Sequence, residues 1–164
     1  MTEPEIPKTC LVTGATGYIG GRLVPELLGA GHRVRVMTRN PERLRDHPWA
    51  GSVEIVRADA TDADQVAAAC AGVDVVYYLI HALGGGPEPA AGERPSPHLR
   101  SRAEVARILL AGAVPTAVLR APVIIGSGSA SFEMLRYLTE RLPVMITPKW
   151  LGSRIQPIAA EPTR

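Results

Sequence analysis

Eight residues, Thr13-Gly14-Ala15-Thr16-Gly17-Tyr18-Ile19-Gly20, constrain this chain more than any others. A short apolar run, Thr9-Cys10-Leu11-Val12, leads into them, and a run with helical spacing from Tyr18 to Leu28 leads out. Strand, Gly-rich turn and helix in that order limit the local fold to a tight turn whose helix begins against the strand it leaves. Gly14 permits the turn, Gly17 leaves the backbone bare, and Gly20 lets helix and strand lie close. The first N–H groups of a helix lack intrahelical acceptors, so a bare turn here presents them to an anion. The pattern therefore predicts a seat for the pyrophosphate of a dinucleotide, formed by Gly14, Ala15, Thr16, Gly17, Tyr18, Ile19 and Gly20. An ordinary tight turn is the plain alternative, and the flanking strand, helix and βαβ spacing argue against it.

Downstream, the pattern continues as alternating elements. The first helix stops at Gly29-Ala30-Gly31, with Ile19, Leu23, Leu27 and Leu28 as its buried stripe and Pro25 as an interruption that removes one hydrogen bond. His32 to Thr38 alternates, with Val34 and Val36 on one face, and reads as the second strand. It ends at Arg39-Asn40, about 20 residues past the turn, where a dinucleotide fold reads the ribose. An acid there would accept from the 2′-hydroxyl of NAD. This chain offers Arg39 and, one turn on, Arg43, whose guanidinium groups suit the 2′-phosphate of NADP. NADP is favoured and NAD stays open, the alternative being two solvated surface arginines.

Val53 to Arg57 reads as the third strand. Asp59-Ala60-Thr61-Asp62 follows and leads into a helix from Ala63 to Cys70, so Asp59 either meets the adenine edge with Ala60 beside it or caps that helix. Asp74 to Ile80 is a near-continuous apolar run, the signature of a strand buried on both faces of a parallel sheet. Its end, Leu79-Ile80-His81, falls at the crevice beside the Gly-rich turn. There His81 either contacts ribose or nicotinamide or is satisfied by a loop carbonyl.

Residues 83–97 are rich in Gly and Pro and read as a flexible loop. A helix from about Leu99 to Leu110 follows, with Val105, Ile108 and Leu109 on its buried face. Thr116 to Leu119 reads as a strand, Ser127-Gly128-Ser129 as the cap of a helix from Ala130 to Arg141, and Val144 to Ile146 as a short strand. Phe132, Leu135 and Leu138 share one face of that helix, and residues 157–164 read as a frayed tail. The sum is an α/β, Rossmann-like three-layer fold in a single domain, 1–164, with a parallel sheet of about five to six strands. Strands 3-2-1-4 are its central part.

Composition excludes several classes of function. A net charge of +2 with no basic run gives nucleic acid no footprint. No apolar stretch approaches the roughly 18 residues a membrane span needs. Cys10 and Cys70 lack metal-type spacing and read as small core residues of a reducing compartment, so no metal site is expected. The acidic, Pro-containing residues 1–8 are unlike a signal peptide, which places the protein in the cytoplasm.

Thr13 to Gly20 resembles the nucleotide motif of the atypical and extended short-chain dehydrogenase/reductase superfamily. Tyr77-Tyr78-Leu79-Ile80-His81, His98 to Val105, Val114 to Ala121, Val123 to Gly126 and Phe132 to Arg136 extend the likeness to its NAD(P)H-binding, NmrA-like branch. The resemblance implies a dinucleotide cofactor and hydride transfer to a small carbonyl or alkene substrate. The superfamily's reductases pair a Tyr with a Lys four residues later; the matching helix here carries His98 and Arg102. His98 is the candidate proton shuttle with Arg102 beside it, against the alternative of an exposed helix start. Relatives also have a helix and a strand where this chain has its Gly/Pro loop, and continue into a substrate-binding part. The sequence thus reads as internally shortened and C-terminally truncated. The readings this leaves are an NADPH-dependent oxidoreductase and a non-catalytic NADP(H) sensor that reports to a protein partner.

Overall fold

Apolar residues at alternate positions build the sheet. In the computed structural model, which describes residues 6–80, 97–119, 124–126, 128–141 and 158–159, Thr9–Thr13 forms strand β1, followed by helix α1 (Tyr18–Gly29) and β2 (Arg33–Thr38). Two 3₁₀ turns, Pro41–Leu44 and Ala50–Ser52, lead to β3 (Glu54–Arg57), and α2 (Ala63–Cys70) leads to β4 (Val75–Tyr78). These elements lie in the first of two compact units, Met1–His81 and Ala82–Arg164.

The four strands form one sheet in the order β3-β2-β1-β4, with every pair parallel. Cys10 lies opposite Val34 on one side and Val75 on the other, and Thr13 lies between Met37 and Tyr78. Strand order reverses at β1, so the crevice beyond its carboxyl end is the switch point of a Rossmann-like α/β fold. Side chains alternate between two cores, as the pleat requires. On one face Cys10, Val12, Val34 and Val36 pack with Val24 and Leu27 of α1 and with Leu44 and Trp49 of the β2–β3 connection. On the other, Leu11, Met37 and Ala58 pack with Ala69 of α2. Arg35 shares that second face: its Nη1 donates to the carbonyls of Ala69 and Ala71, both at 2.8 Å, and its Nε pairs with Glu54 at 2.8 Å. The positive charge closes the carbonyl end of α2.

Several expectations change in detail. The sheet has four strands rather than five or six among the described residues. The helix α1 is continuous through Pro25, and its buried line is Gly20, Val24 and Leu27, with Leu23 and Leu28 only partly covered. That line sits one residue round from the expected stripe, because Gly20 is the closest point between helix and turn. β4 is not buried on both faces: Val76 is 48% and Tyr78 45% exposed. It is an edge of this sheet, and the α2 cluster ends over β1 to β3.

In the second unit, α3 spans Pro97–Ala111, β5 Ile124–Ile125, α4 Ala130–Arg141 and β6 Ile158–Ala159. β5 and β6 pair in parallel, so two residues of the stretch expected to fray are in a ladder. Residues 115–119 form no strand. Pro115 offers no N–H, and Leu119 is 95% exposed. The expected buried face of α3 is open, with Ile108 57% exposed and Leu109 also exposed. Helical spacing defines an apolar face but does not supply the element that covers it. Phe132 and Leu138, expected on one face of α4, are both half-buried, while Leu135 lies outside the described side chains. The Val144 to Ile146 strand and residues 83–96 of the Gly/Pro loop lie outside the described residues.

Candidate functional site

Three glycines, two between β1 and α1 and one in the first turn of α1, do three different jobs. Gly14 has φ +73°, in the left-handed region, and a Cβ there would lie 3.0 Å from the Leu79 carbonyl oxygen. Gly17 donates its N–H to the Gly14 carbonyl at 2.9 Å, and a Cβ on it would meet only that oxygen, at 3.1 Å. A Cβ on Gly20 would collide with the Gly14 carbonyl and sit 2.6 Å from the Ala15 Cα. Gly20 therefore sets the approach of α1 to the turn, and Gly17 and Thr16 leave exposed backbone above it.

The amino end of α1 is bare. Gly17 is its N-cap, in extended conformation, with no side-chain cap and no acidic residue in the first turn. Two other helices, α2 and α4, supply an acid at this end themselves. Asp62 caps α2 by accepting from Asp64 N and Gln65 N, both at 3.1 Å. At α4, Glu133 Oε1 accepts from Gly128 N at 3.3 Å. That bond, with help from Arg136, holds the Glu133 carboxyl below the usual range. Although Gly126-Ser127-Gly128-Ser129 also follows a strand, its helix thus supplies its own anion. The turn before α1 has unfilled donors, an open glycine surface and no competing carboxylate, so its residues fit a pyrophosphate. Beside it, the Tyr18 hydroxyl is buried without a hydrogen-bond partner, and the Arg22 guanidinium lies 3.8 Å over the Tyr18 ring.

Thr13 ties this turn to β4. Its hydroxyl accepts from Leu79 N at 3.1 Å and donates to Tyr77 O at 3.2 Å. Leu79 and Ile80 are thereby held against Gly14, as the crevice reading anticipated. The role of Thr13 was not anticipated; its signal was a buried hydroxyl at the last position of an otherwise apolar strand. His81 lies outside the described residues.

Past the end of β2, Asn40 Oδ1 accepts from Glu42 N at 3.2 Å and caps the turn Pro41–Leu44. Glu42 pairs with Arg45 at 2.7 Å, whereas Arg39 and Arg43 make no ion pair among the described residues. Asp59 Oδ1 accepts from Thr61 N at 2.9 Å and Thr61 Oγ1 at 2.8 Å. These bonds, and more weakly Arg39, hold its carboxyl below the ordinary carboxylate value. Asp59 is therefore not the cap of α2; Asp62 is, and Asp59 with the exposed Ala60 forms the turn before it. His98 and Arg102 both lie in α3, one turn apart, and their side chains are outside the description. The structure brings the Gly-rich turn, Leu79 and Ile80 together. It leaves the pairing of His98 with Arg102 as an expectation.

Among the described residues no group of His, Cys, Asp or Glu could hold a metal ion, and no helix is long and apolar enough to cross a membrane. A family model described as NAD(P)H-binding matches residues 14–131. Over 78 residues the chain is 42% identical to a 3 beta-hydroxysteroid dehydrogenase/Delta 5→4-isomerase of Mycobacterium tuberculosis, covering 46% of this chain and 20% of that protein. Over 95 residues it is 33% identical to an anthocyanidin reductase of Vitis vinifera, covering 52% and 28% respectively. A solved short-chain dehydrogenase/reductase superfamily protein of Agrobacterium tumefaciens, with bound NAD, aligns with a TM-score of 0.38 at 26% identity, over 48% of this chain and 22% of that one. The matched part thus spans between a fifth and a third of these relatives' own lengths. The motif, the parallel sheet and the family match over most of the sequence agree: the chain belongs to the NAD(P)H-binding family.

Proposed function

We propose that this protein binds NADP(H) and serves as an oxidoreductase on a small carbonyl or alkene substrate. The observation that carries the reading is the bare amino end of α1 above Gly14, Gly17 and Gly20, which has neither a side-chain cap nor an acid in its first turn. Arg39 and Arg43 favour the phosphorylated cofactor, since neither is committed to a carboxylate among the described residues. A guanidinium gains a charge-assisted pair from a 2′-phosphate that a 2′-hydroxyl cannot offer. The bound nicotinamide supplies or accepts a hydride. Relatives named dehydrogenase and reductase favour that use of it. His98, with Arg102 one turn on, is the residue we assign to proton transfer.

A second reading, a non-catalytic NADP(H) sensor, is favoured by His98 and Arg102 standing where related reductases carry Tyr and Lys. Fluorescence titration with NADPH and NADH, on wild type and Arg39→Ala, tests cofactor choice. Wild type is expected to prefer NADPH by about tenfold or more and the variant to lose most of that preference; equal affinities in wild type overturn it. NADPH oxidation with a panel of carbonyls then separates the enzyme from the sensor, because turnover is incompatible with the second reading.

A further inference from the structure

Arg57 closes β3, in register opposite Thr38. Alternation along the strands puts it on the face of Val36 and Ile55, the side on which the β2–β3 connection packs. Thr38 Oγ1 accepts from Asn40 N at 3.2 Å, and Asn40 in turn caps the turn that carries Arg43. Arg57 therefore stands at the same corner as Arg39 and Arg43, delivered by a different strand. All three are exposed, and none makes an ion pair or side-chain hydrogen bond among the described residues. The one acid within the turn, Glu42, is taken by Arg45, and the Asp59 carboxylate is engaged by Thr61. Asp59, which Arg39 reaches only weakly, offsets three like charges at one corner in part, and a polyanion placed among them removes the repulsion that remains.

Building on the NADP(H) reading, we infer that Arg57 is the third guanidinium of the 2′-phosphate site and a determinant of cofactor choice alongside Arg39 and Arg43. A phosphomonoester carries nearly two negative charges at neutral pH and three strong acceptor oxygens. It can engage donors from the end of β2, the 3₁₀ turn and the end of β3 at once. A 2′-hydroxyl offers none of this.

The test uses the full chain and two half-cofactors, 2′,5′-ADP and 5′-AMP, by isothermal titration. Arg57→Gln is expected to weaken 2′,5′-ADP about five- to tenfold, to leave 5′-AMP within about twofold, and to flatten the salt dependence of 2′,5′-ADP binding. An Arg57→Gln protein that binds 2′,5′-ADP as wild type does, while Arg39→Ala loses it, removes Arg57 from the site and leaves the NADP(H) reading standing. Equal weakening of both probes also overturns the proposal, because it reports a disturbed fold. Wild type that holds the two probes equally sinks the NADP(H) reading, and this inference with it.

Discussion

Thr13 is the residue on which the geometry of the crevice turns. A parallel sheet aligns β1 with β4 only as far as their ladder runs, and the pairing ends at Thr13 and Tyr78. Beyond it one hydroxyl takes over, bonding Leu79 N and Tyr77 O and holding the β4 exit against Gly14. Thr13→Val keeps the shape and loses both bonds, so urea melts should show a loss of about 1–3 kcal/mol. Dinucleotide affinity should fall with it, while Thr13→Ser should hold both close to wild type. If Thr13→Val binds and melts as wild type does, the strand end is positioned by something else. The glycine pattern was legible in the sequence because backbone freedom and missing Cβ atoms are properties of residue type. Thr13 was not, because its partners are 64 and 66 residues away along the chain.

At the scale of elements, helix starts differ in what fills them. Asp62 serves α2, Glu133 serves the loop before α4, and nothing in the first turn serves α1. The three helix starts therefore differ in chemistry, decided by the presence of one acidic residue at α2 and at α4 and its absence at α1. At the opposite end of the unit, Arg35 ties β2 to the end of α2 through Ala69 O and Ala71 O and to β3 through Glu54. Only 16% of its side chain is exposed, whereas Glu54 is 57% exposed, so the bonds to the helix carbonyls carry more weight than the ion pair. Arg35→Met should preserve much of the packing yet cost about 2 kcal/mol in chemical denaturation. Glu54→Gln should cost well under half of that; a reversed order would place the weight on the ion pair. The alternation of Val34 and Val36 marked β2 from sequence, but the same alternation gave no hint that Arg35 would lie under a helix end.

For the whole molecule, every described part of the proposed dinucleotide cradle lies in the first unit: the glycine turn, the Thr13 tie, the Arg39 corner and the β4 exit. Ligand that binds only the native state stabilises it by mass action. At roughly a hundred times its dissociation constant, NADPH should add about 2.7 kcal/mol and raise the melting midpoint. Hydrogen exchange should show where this gain is felt. Amides of β1, α1 and the ends of β2 and β4 should slow in NADPH, and those of α3 and α4 should change less. Uniform protection of both units would mean that the two open and close as one.

Local chemistry was enough to specify much of this protein. The bare turn, the existence of the first four strands and the extents of α2 and α4 follow from backbone freedom, side-chain period and capping, all of which act over a few residues. Tertiary structure decided the rest. It exposed one face of β4, left residues 115–119 without a ladder, paired Ile158–Ala159 with β5 and set Arg57 opposite Thr38 at the end of β2. Burial and pairing depend on which distant segment arrives as a partner, and that is a property of the assembled chain rather than of any stretch of it.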